Sequence, residues 1–457
     1  MSIKFRLTLM SFFQFFVWGA WLITIATYFF SNNMGTGGQF GTIMTTLALG
    51  SLIMPAITGI IADKWVNAER LYGILHILYG LVLCYVPQVK NPELLFYVML
   101  AAMIFYMPTI SLSNSIAYTI LKSNKYDVVK VFPPIRVWGT IGFIVAMWIT
   151  NLSGSKANAN QFYIAAVVAV LLGLYAFTLP KCPPQKAIAK DASIVEQLGL
   201  NAFKLFANYK LALFFIFSLF LGAALQLTNM YGDTFLDDFK KNPLFGPESF
   251  VVKYSTIIMS ISQISETLFI LAIPFFLKRF GIKKVMLFSM IAWVLRFGLF
   301  AYGNPSDGLW MIILSCIVYG MAFDFFNISG SLFIETTTDS KIRSSAQGLF
   351  MMMTNGIGAF IGAQVSGWII DKYYTLKFTD ISSLLSYVKS DAQNPAVKKI
   401  LEYNEVLADG TFKSAVFIKE WHPIWLTFSI YALVIAVLFA VMFKHKHDPK
   451  ALENVQH

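Results

Sequence analysis

A carboxylate and an amide lie near the middle of an otherwise apolar stretch, residues 258–270. Glu266 and Gln263 are three residues apart, and with Ser262 they share one side of a helix. An ionisable group at the centre of a membrane helix costs roughly 2.5–3.5 kcal/mol, so it normally faces a protein interior or a watery cavity. The spacing therefore predicts a polar site within a bilayer that receives both side chains.

A second polar stripe follows the proline pair 133–134, which suits the start of a helix. Arg136, Thr140 and Phe143 recur at i, i+4 and i+7, so one helix face offers a cation, a hydroxyl group and an aromatic ring. A charge near a helix start can also extend to the membrane surface. We expect a functional role for Arg136, with this topological role as the alternative.

Two amides stand close together in a third apolar stretch. Gln226 and Asn229 are three residues apart, so both can donate and accept hydrogen bonds from one helix face. A single amide in a membrane helix more often joins two helices than binds a ligand. The pair is therefore a candidate site only in combination with the other stripes.

A fourth stretch combines aromatic rings with a second acid. Tyr319, Phe323 and Asn327 fall on one helical stripe, and Asp324 lies beside it. Asp324 comes 16 residues after Gly308, and Glu266 comes 17 residues after Ser249. If both helices begin at the same surface, the two carboxylates lie at similar depth in the membrane.

Composition defines the class of protein that holds these residues. The chain is 57% hydrophobic and 13% charged, whereas soluble domains contain about a quarter of charged residues. Apolar runs of about 20 residues are long enough to span a bilayer. We predict an all-α integral membrane protein with twelve transmembrane helices, at 7–30, 39–62, 71–88, 94–120, 134–152, 162–179, 211–236, 249–277, 284–302, 308–333, 345–370 and 423–443.

The distribution of charge predicts the orientation. With the N-terminus inside, the cytoplasmic segments carry 21 Lys and Arg residues, and the five short external loops carry four, at Lys90, Lys156, Lys240 and Lys241. The positive-inside rule therefore predicts that both termini are cytoplasmic. The net charge of +11 then reflects topology, and we expect no nucleic-acid partner.

The spans divide into two sets of six. We predict an N-terminal half at 1–180, a cytoplasmic connector at 181–210 and a C-terminal half at 211–457 with an external loop at 371–421. Residues 59–64 and 277–284 form short basic loops at corresponding places in the two halves. The first resembles the loop signature of the major facilitator superfamily, which is glycine, three residues, aspartate and a basic residue.

Sites for cofactors are not indicated. Cys84, Cys182 and Cys316 are odd in number and scattered, which argues against a disulfide framework and against a metal site. The segments discussed above contain no phosphate-binding loop or nucleotide-binding fingerprint. We expect no cofactor.

Taken together, four stretches resemble the nucleoside:proton symporter family of the major facilitator superfamily. They are residues 132–143, the pair Gln226 and Asn229, residues 260–266 and residues 319–330, and the similarity extends from Phe5 to about Lys444. The external loop is longer than is usual in the family. The resemblance implies proton-driven uptake of purine and pyrimidine nucleosides across the bacterial inner membrane by alternating access, with the site near the bilayer midplane between the halves.

The resemblance also implies a set of site residues. Those expected to contact the nucleoside are Arg136, Thr140, Phe143, Gln226, Asn229, Gln263, Glu266, Tyr319 and Phe323. Proton coupling is expected from Glu266, Asp324 and Arg136, and a monomer is expected to function alone. The chemistry agrees, because a ribose diol suits carboxylate and amide partners and a base suits aromatic faces.

Two alternatives remain at this point. A membrane enzyme acting on lipid would place its acids or nucleophile at the membrane interface, whereas these acids lie at mid-depth. A sugar symporter would use similar amides and carboxylates, and competition by a nucleoside but not by a free sugar would distinguish the two.

Some polar residues are expected to serve packing or topology. Gln14 is expected to form a hydrogen bond between helices. Arg296 is expected to balance a charge or to extend outward. His76 is expected to be a packing residue whose hydrogen bonds are satisfied. The external segment 371–421 is expected to be a loop or a loosely packed hairpin that transport does not need.

Overall fold

The computed structural model describes residues 2–184, 200–242, 245, 248–338, 343–389, 391–393, 397–398, 401 and 406–445. Half of the predicted connector, residues 185–199 with Lys186 and Lys190, lies outside this part of the chain. So do Lys341, Lys446, Lys450 and the side chains of Asp63 and Arg343.

The first seven helices are called the N-terminal group. A capping box at Thr36 and Gln39 fixes the start of α3, and Asn91 accepts hydrogen bonds at the start of α5. The helices are α1 (Ile3–Gly19), α2 (Ile25–Ser31), α3 (Gly37–Lys64), α4 (Ala68–Tyr85), α5 (Pro92–Ser123), α6 (Val128–Leu152) and α7 (Asn160–Ala176).

The remaining helices are called the C-terminal group. They are α8 (Tyr209–Asp238), α9 (Phe250–Lys253), α10 (Ser255–Tyr302), α11 (Leu309–Thr337), α12 (Arg343–Met351), α13 (Ala359–Tyr374), α14 (Ile381–Val388) and α15 (Trp421–Met442). One turn of π-helix, Met352–Gly358, joins α12 to α13. The two strands are β1 (Thr375–Asp380) and β2 (Thr411–Lys419).

Nine helices in the described residues are long and apolar enough to cross a membrane. The predicted span 162–179 is the helix α7, which has only 17 residues. Span 284–302 and all but the first six residues of span 249–277 lie in the 48-residue α10, which Gly281 interrupts with φ 77°. Only glycine adopts this conformation without steric cost, so a turn between two spans can be this short.

The predicted span 7–30 is also interrupted. Helix α1 ends at Gly19 and the chain resumes as α2 at Ile25. Side chains from other helices bond to the break: the Thr150 hydroxyl donates to the Ala20 carbonyl at 2.8 Å and the Thr24 hydroxyl to Gln161 at 2.8 Å. These bonds satisfy polar groups that the interrupted helix leaves in an apolar environment.

The start of the fifth span differs from the prediction. Helix α6 begins at Val128, so the prolines 133–134 lie inside it and do not start it. The Asp127 carboxylate accepts a hydrogen bond from the Lys130 backbone at 3.3 Å and so caps the helix. The helix start therefore lies before the prolines.

The apolar core runs through both groups, and the outer faces are apolar as well. Leu271 and Val441 are 76% and 68% exposed, which is expected of side chains that contact lipid. Buried Phe, Ala and Met residues fill the space between the helices.

The segment 371–421, predicted to be external, contains regular structure. Strands β1 and β2 pair antiparallel, with Thr375 opposite Lys419, and Asp380 caps α14 through the Ser383 backbone at 2.8 Å. Phe378, Leu384, Phe412 and Val416 form a small buried core between these elements. The expectation of a loop or a loosely packed hairpin is therefore wrong in its loose packing, because the paired strands enclose a buried core.

The last residue of β2 connects this segment to the N-terminal group. Lys419 is 6% exposed, and its ammonium nitrogen lies 3.5 Å from the centroid of the Phe30 ring. Burial lowers the pKa of Lys419 to about 8, although the nearby Asp238 carboxylate favours the charged form. The segment thus contributes a buried contact between the groups.

Gly320 provides a first test of the packing. A Cβ atom added there would lie 2.5 Å from the Ser265 carbonyl carbon and 2.6 Å from the Glu266 nitrogen, so Gly320→Ala should push α10 and α11 apart. We expect a loss of about 1–3 kcal/mol, seen as a lower melting temperature in detergent.

Gly348→Ala on α12 is the matched control, because no other atom lies within 4 Å of the added carbon. It should leave stability unchanged or raise it by about 0.5–1 kcal/mol. An equal melting temperature for Gly320→Ala and Gly348→Ala would contradict the close approach of α10 and α11.

Candidate functional site

The Arg136 guanidinium stays within the N-terminal group. Its central carbon lies 4.0 Å from the centroid of the Phe15 ring, and the side chain is half-buried. Gly139 makes this possible, since a Cβ atom there would lie 2.8 Å from Arg136 Nη1. The alternative in which Arg136 extends to the membrane surface is not what the structure shows.

Phe143 lies on the same face of α6, against the end of α1. Its ring meets Trp18 edge-on at 6.2 Å, and its carbonyl oxygen would be 2.5 Å from a Cβ atom at Gly19. The Trp18 indole nitrogen is buried and has no hydrogen-bond partner in the described part of the chain. Thr140, one turn before Phe143, is half-buried.

The amides of the C-terminal group include unpaired polar atoms. Gln226 is 5% exposed, and its Nε2 atom is buried with no partner among the described residues. The same holds for Oε1 of Gln263, and Asn229 is half-buried. A buried polar group without a partner costs about 1–3 kcal/mol, so these amides are candidates for bonds to a ligand.

Tyr319 and Phe323 form a pair of parallel rings on α11. Their centroids are 6.2 Å apart and their planes differ by 7°. Phe323 also lines a narrow pocket with Trp293 and Asn327. The close approach at Gly320 brings this aromatic pair beside Glu266 on α10.

Asp324 is 4% exposed, and its Oδ2 atom has no hydrogen-bond partner in the residues that the structure covers. The charge of Glu266 acts on Asp324, and the charge of Asp324 acts on Tyr319. The similar depth of the two acids in the membrane stays a prediction.

An electrostatic interaction relates the N-terminal group to the C-terminal group near these residues. The charges of Arg136 on α6 and Glu266 on α10 act on each other. Thr140, Gln226 and Asn229 form no hydrogen bond with these charged residues in the described structure. Arg136 and Glu266 form no ion pair within 4 Å in the described structure, so the candidate site has opposite charges on its two sides, with rings and unpaired amides on α6, α8, α10 and α11.

Such an arrangement can bind a polar, partly aromatic molecule and hold a proton. It offers a cation, two carboxylates, amide donors and acceptors, and aromatic faces. Within the described ranges, no group of three or more His, Cys, Asp or Glu residues could hold a metal ion.

Two polar residues of the N-terminal group serve packing. Gln14 donates to the Thr109 hydroxyl at 2.9 Å and accepts from the Tyr72 hydroxyl at 2.7 Å, so both ends of its amide are engaged. His76 is only half satisfied: Nδ1 lies 3.1 Å from the Tyr72 carbonyl, and Nε2 has no partner in the described structure.

The sequence reading missed a buried charged cluster where the groups meet at one end. Asp233 accepts hydrogen bonds from the Thr27 hydroxyl and the Thr256 hydroxyl, both at 2.7 Å. Lys156 forms an ion pair with Asp237 at 2.7 Å. An aspartate within the predicted span 211–236 was the available signal, because such residues are rare in apolar helices.

Other contacts close the same end, here called the closed end. The Asn151 amide donates to the Lys253 carbonyl at 2.8 Å, and the Gly37 backbone donates to Asp371 at 3.3 Å. A Cβ atom at Gly41 would lie 2.5 Å from the Ala363 carbonyl oxygen. The N- and C-terminal groups therefore pack tightly at this end.

A polar helix face is accessible toward the opposite end. Polar side chains of α5 line a depression there, and apolar lipid would not solvate them. They are Ser111, Asn114, Ser115, Tyr118, Thr119, Lys122 and Ser123.

Comparison with known proteins identifies the family of this chain. A family model described as nucleoside H+ symporter matches residues 1–448. The chain is 47% identical over 455 residues to the xanthosine permease of Escherichia coli (strain K12), and this match covers 99% of both chains. It is 45% identical over 460 residues to the nucleoside permease NupG of the same organism, with 100% of both covered.

The fold agrees as well. A crystal structure of a point mutant of the nucleoside transporter NupG matches with a TM-score of 0.85 and 45% identity, covering 97% of this chain and 100% of that one. The fold is thus the all-α fold of the major facilitator superfamily. The family consists of nucleoside transporters, so the alternatives of a lipid enzyme and of a sugar symporter are wrong. The chain belongs to the nucleoside H+ symporter family.

Proposed function

We propose that this chain takes up nucleosides with protons across the bacterial inner membrane by alternating access. The N- and C-terminal groups are the two six-helix halves, 1–180 and 211–457, joined by the connector 181–210. Twelve spans then cross the bilayer with both termini in the cytoplasm. The positive charge of the segments on that side supports this orientation.

The observation that carries the proposal is a set of buried polar atoms without partners on α8, α10 and α11, in the half that also carries Glu266. Gln226, Gln263 and Asp324 each have a buried atom with no protein partner in the described structure. Arg136 and Glu266 interact across the interface. A nucleoside supplies hydroxyl groups and base-edge donors and acceptors that match this set.

The residue types suggest how the substrate lies. Glu266 and Gln263 suit the ribose diol, because a carboxylate accepts and an amide both donates and accepts. Gln226 and Asn229 suit the edge of the base. Phe143, Tyr319 and Phe323 are aromatic faces for the base, while Thr140 is placed on the α6 stripe as a further hydroxyl contact.

Proton coupling is assigned to the two acids and Arg136. Removal of water from a carboxylate favours its protonated form, whereas an approaching guanidinium favours the charged form. Movement of Arg136 relative to Glu266 therefore changes the affinity for a proton as the halves move. Asp324, on which the charge of Glu266 acts, is the second candidate for the proton.

The closed end is proposed to face outward. It contains the predicted external residues Lys156 and Lys240 and the external segment, while the accessible polar face of α5 lies toward the cytoplasm. The structure then corresponds to an inward-facing state. The charged cluster at the closed end has to separate when the carrier opens outward.

The acids are tested by isosteric neutralisation. Glu266→Gln should abolish uridine accumulation driven by an inward proton gradient, because it removes the titratable group. Asp324→Asn should retain uridine binding but flatten the dependence of uptake on pH. Uptake into proteoliposomes and calorimetric binding at neutral and acidic pH measure both effects.

Full gradient-driven accumulation by Glu266→Gln would remove Glu266 from the mechanism. Loss of binding in Asp324→Asn, with unchanged pH dependence of the remaining uptake, would make Asp324 the ligand contact instead.

The aromatic contacts are tested by truncation. Phe143→Ala and Phe323→Ala should each weaken uridine binding by about 1–3 kcal/mol, as when a base loses an aromatic platform. Phe275→Ala is the control, since Phe275 is 60% exposed on the outer face of α10. Wild-type affinity in both Phe143→Ala and Phe323→Ala would show that these rings do not contact the base.

The closed end is tested by its ion pair. Asp237→Asn should loosen the contact with Lys156 and increase the fraction of outward-open molecules. A cysteine placed at Thr234, which is 2% exposed at the interface, should then react several-fold faster with a membrane-impermeant thiol reagent.

The background for this assay carries Cys84→Ser, because Cys84 is exposed. Asp307→Asn is the control, as Asp307 is an exposed acid of another predicted external loop. Equal reaction rates in Asp237→Asn and Asp307→Asn would mean that the ion pair does not hold the halves together.

A further inference from the structure

Arg296 is a fully buried cation within the C-terminal half. It lies on the second part of α10 and is 0% exposed. It forms no ion pair within 4 Å with any acid in the described residues. Inserting a charge at this depth is costly, so its retention in an apolar helix calls for a specific role.

One contact of Arg296 is structural. Its Nη1 atom donates to the Ser315 carbonyl at 2.9 Å, and the Ser315 hydroxyl donates back to the Arg296 carbonyl at 2.8 Å. The Cys316 thiol interacts with the same guanidinium. This reciprocal pair of hydrogen bonds connects α10 to α11. The bond from the Ser315 hydroxyl to the Arg296 carbonyl does not require the charge of the guanidinium.

The charge is directed at aromatic rings. The central carbon of the guanidinium lies 4.5 Å from the centroid of the Tyr319 ring and 5.0 Å from that of Phe300. Tyr319 also meets Trp293 edge-on at 5.9 Å. A guanidinium over a ring face holds that ring by a cation–π interaction, which is stronger where water is excluded.

Arg296 also reaches the neighbours of the other C-terminal site residues. Its Nε atom lies 3.4 Å from the Thr228 hydroxyl, and Nη1 lies 3.4 Å from the Ser262 hydroxyl. Thr228 stands between Gln226 and Asn229 in the chain, and Ser262 directly precedes Gln263. The Arg296 side chain thus contacts α8, the first part of α10 and α11, all of which carry proposed ligand contacts.

We infer that Arg296 is a positioning residue of the nucleoside site, which fixes the Tyr319 ring, and with it Phe323, as the platform for the substrate. The inference rests on the proposed placement of Tyr319 and Phe323 against the nucleoside. The guanidinium acts through Tyr319 and does not itself contact the substrate. Charge, not volume, is the property that the position requires.

The test is a double-mutant cycle on uridine binding by the purified full-length chain, measured by calorimetry. Arg296→Met keeps the volume and removes the charge, and should raise Kd about tenfold. Arg296→Lys keeps a cation and should recover part of the affinity. In the Tyr319→Leu background, Arg296→Met should cause little further loss, because the ring on which the cation acts is absent.

Thr140→Ala in the other half provides the additive control. Arg296→Met and Thr140→Ala share no contact in the described structure, so their effects on Kd should multiply. Melting temperatures without ligand establish which variants are folded. If Arg296→Met does not fold, Arg296→Lys replaces it in the cycle, with an expected rise in Kd of about threefold that Tyr319→Leu removes.

The inference is overturned if the increases in Kd caused by Arg296→Met and Tyr319→Leu multiply, as those of Arg296→Met and Thr140→Ala should. It is overturned as well if Arg296→Met and Arg296→Lys both retain the wild-type Kd. It is also overturned if Arg296→Met binds better than Arg296→Lys, since volume would then matter more than charge. Failure of the wild-type chain to bind uridine would instead contradict the proposed function.

Discussion

Every ionisable group inside a bilayer has to be enclosed by protein, and this constraint determines where the polar residues of this chain lie. Glu266, Asp324 and Arg296 are carried by helices whose other residues are mostly apolar. Each is directed inward, because lipid cannot solvate a charge. The close approach of α10 and α11 at Gly320 keeps these groups together, and the proposed site occupies the interior that results.

The same constraint explains the closed end. Asp233 and Asp237 are 1% and 3% exposed, and each is satisfied by side chains from both halves or from neighbouring turns. A buried ion pair adds little net stability, but separating it leaves an uncompensated charge unless water enters. An interface of this kind favours two discrete states, tightly closed or hydrated, which is what alternating access requires.

The sequence predicted the features that depend on local spacing. An acid and an amide on one side of an apolar helix made Glu266 and Gln263 candidates, and apolar length predicted the membrane-spanning helices. Features that depend on distant partners were not predictable. Lys156 counted as an external loop charge, although it pairs with Asp237, which is far away in the chain. Arg296 was expected to balance a charge or to extend outward, and its contact with Tyr319 is set by the packing of α10 on α11.

The external segment and the interrupted first helix illustrate the same limit. The strands β1 and β2 pair across a long intervening stretch, and alternation of side chains in a polar segment is too weak to specify the register. The break after Gly19 depends on Thr150 and Gln161, which come from helices more than 100 residues away. Neither feature has a local signal as strong as an acid in an apolar run.

The central claim is that nucleoside and proton cross together through Glu266. It is tested most directly by proteoliposomes that contain a pH-sensitive dye and no imposed gradient, to which uridine is added outside. The account predicts that uridine entry acidifies the lumen for the wild-type chain and that Glu266→Gln gives no acidification. Entry of uridine without acidification in the wild type, or equal acidification in Glu266→Gln, would contradict it.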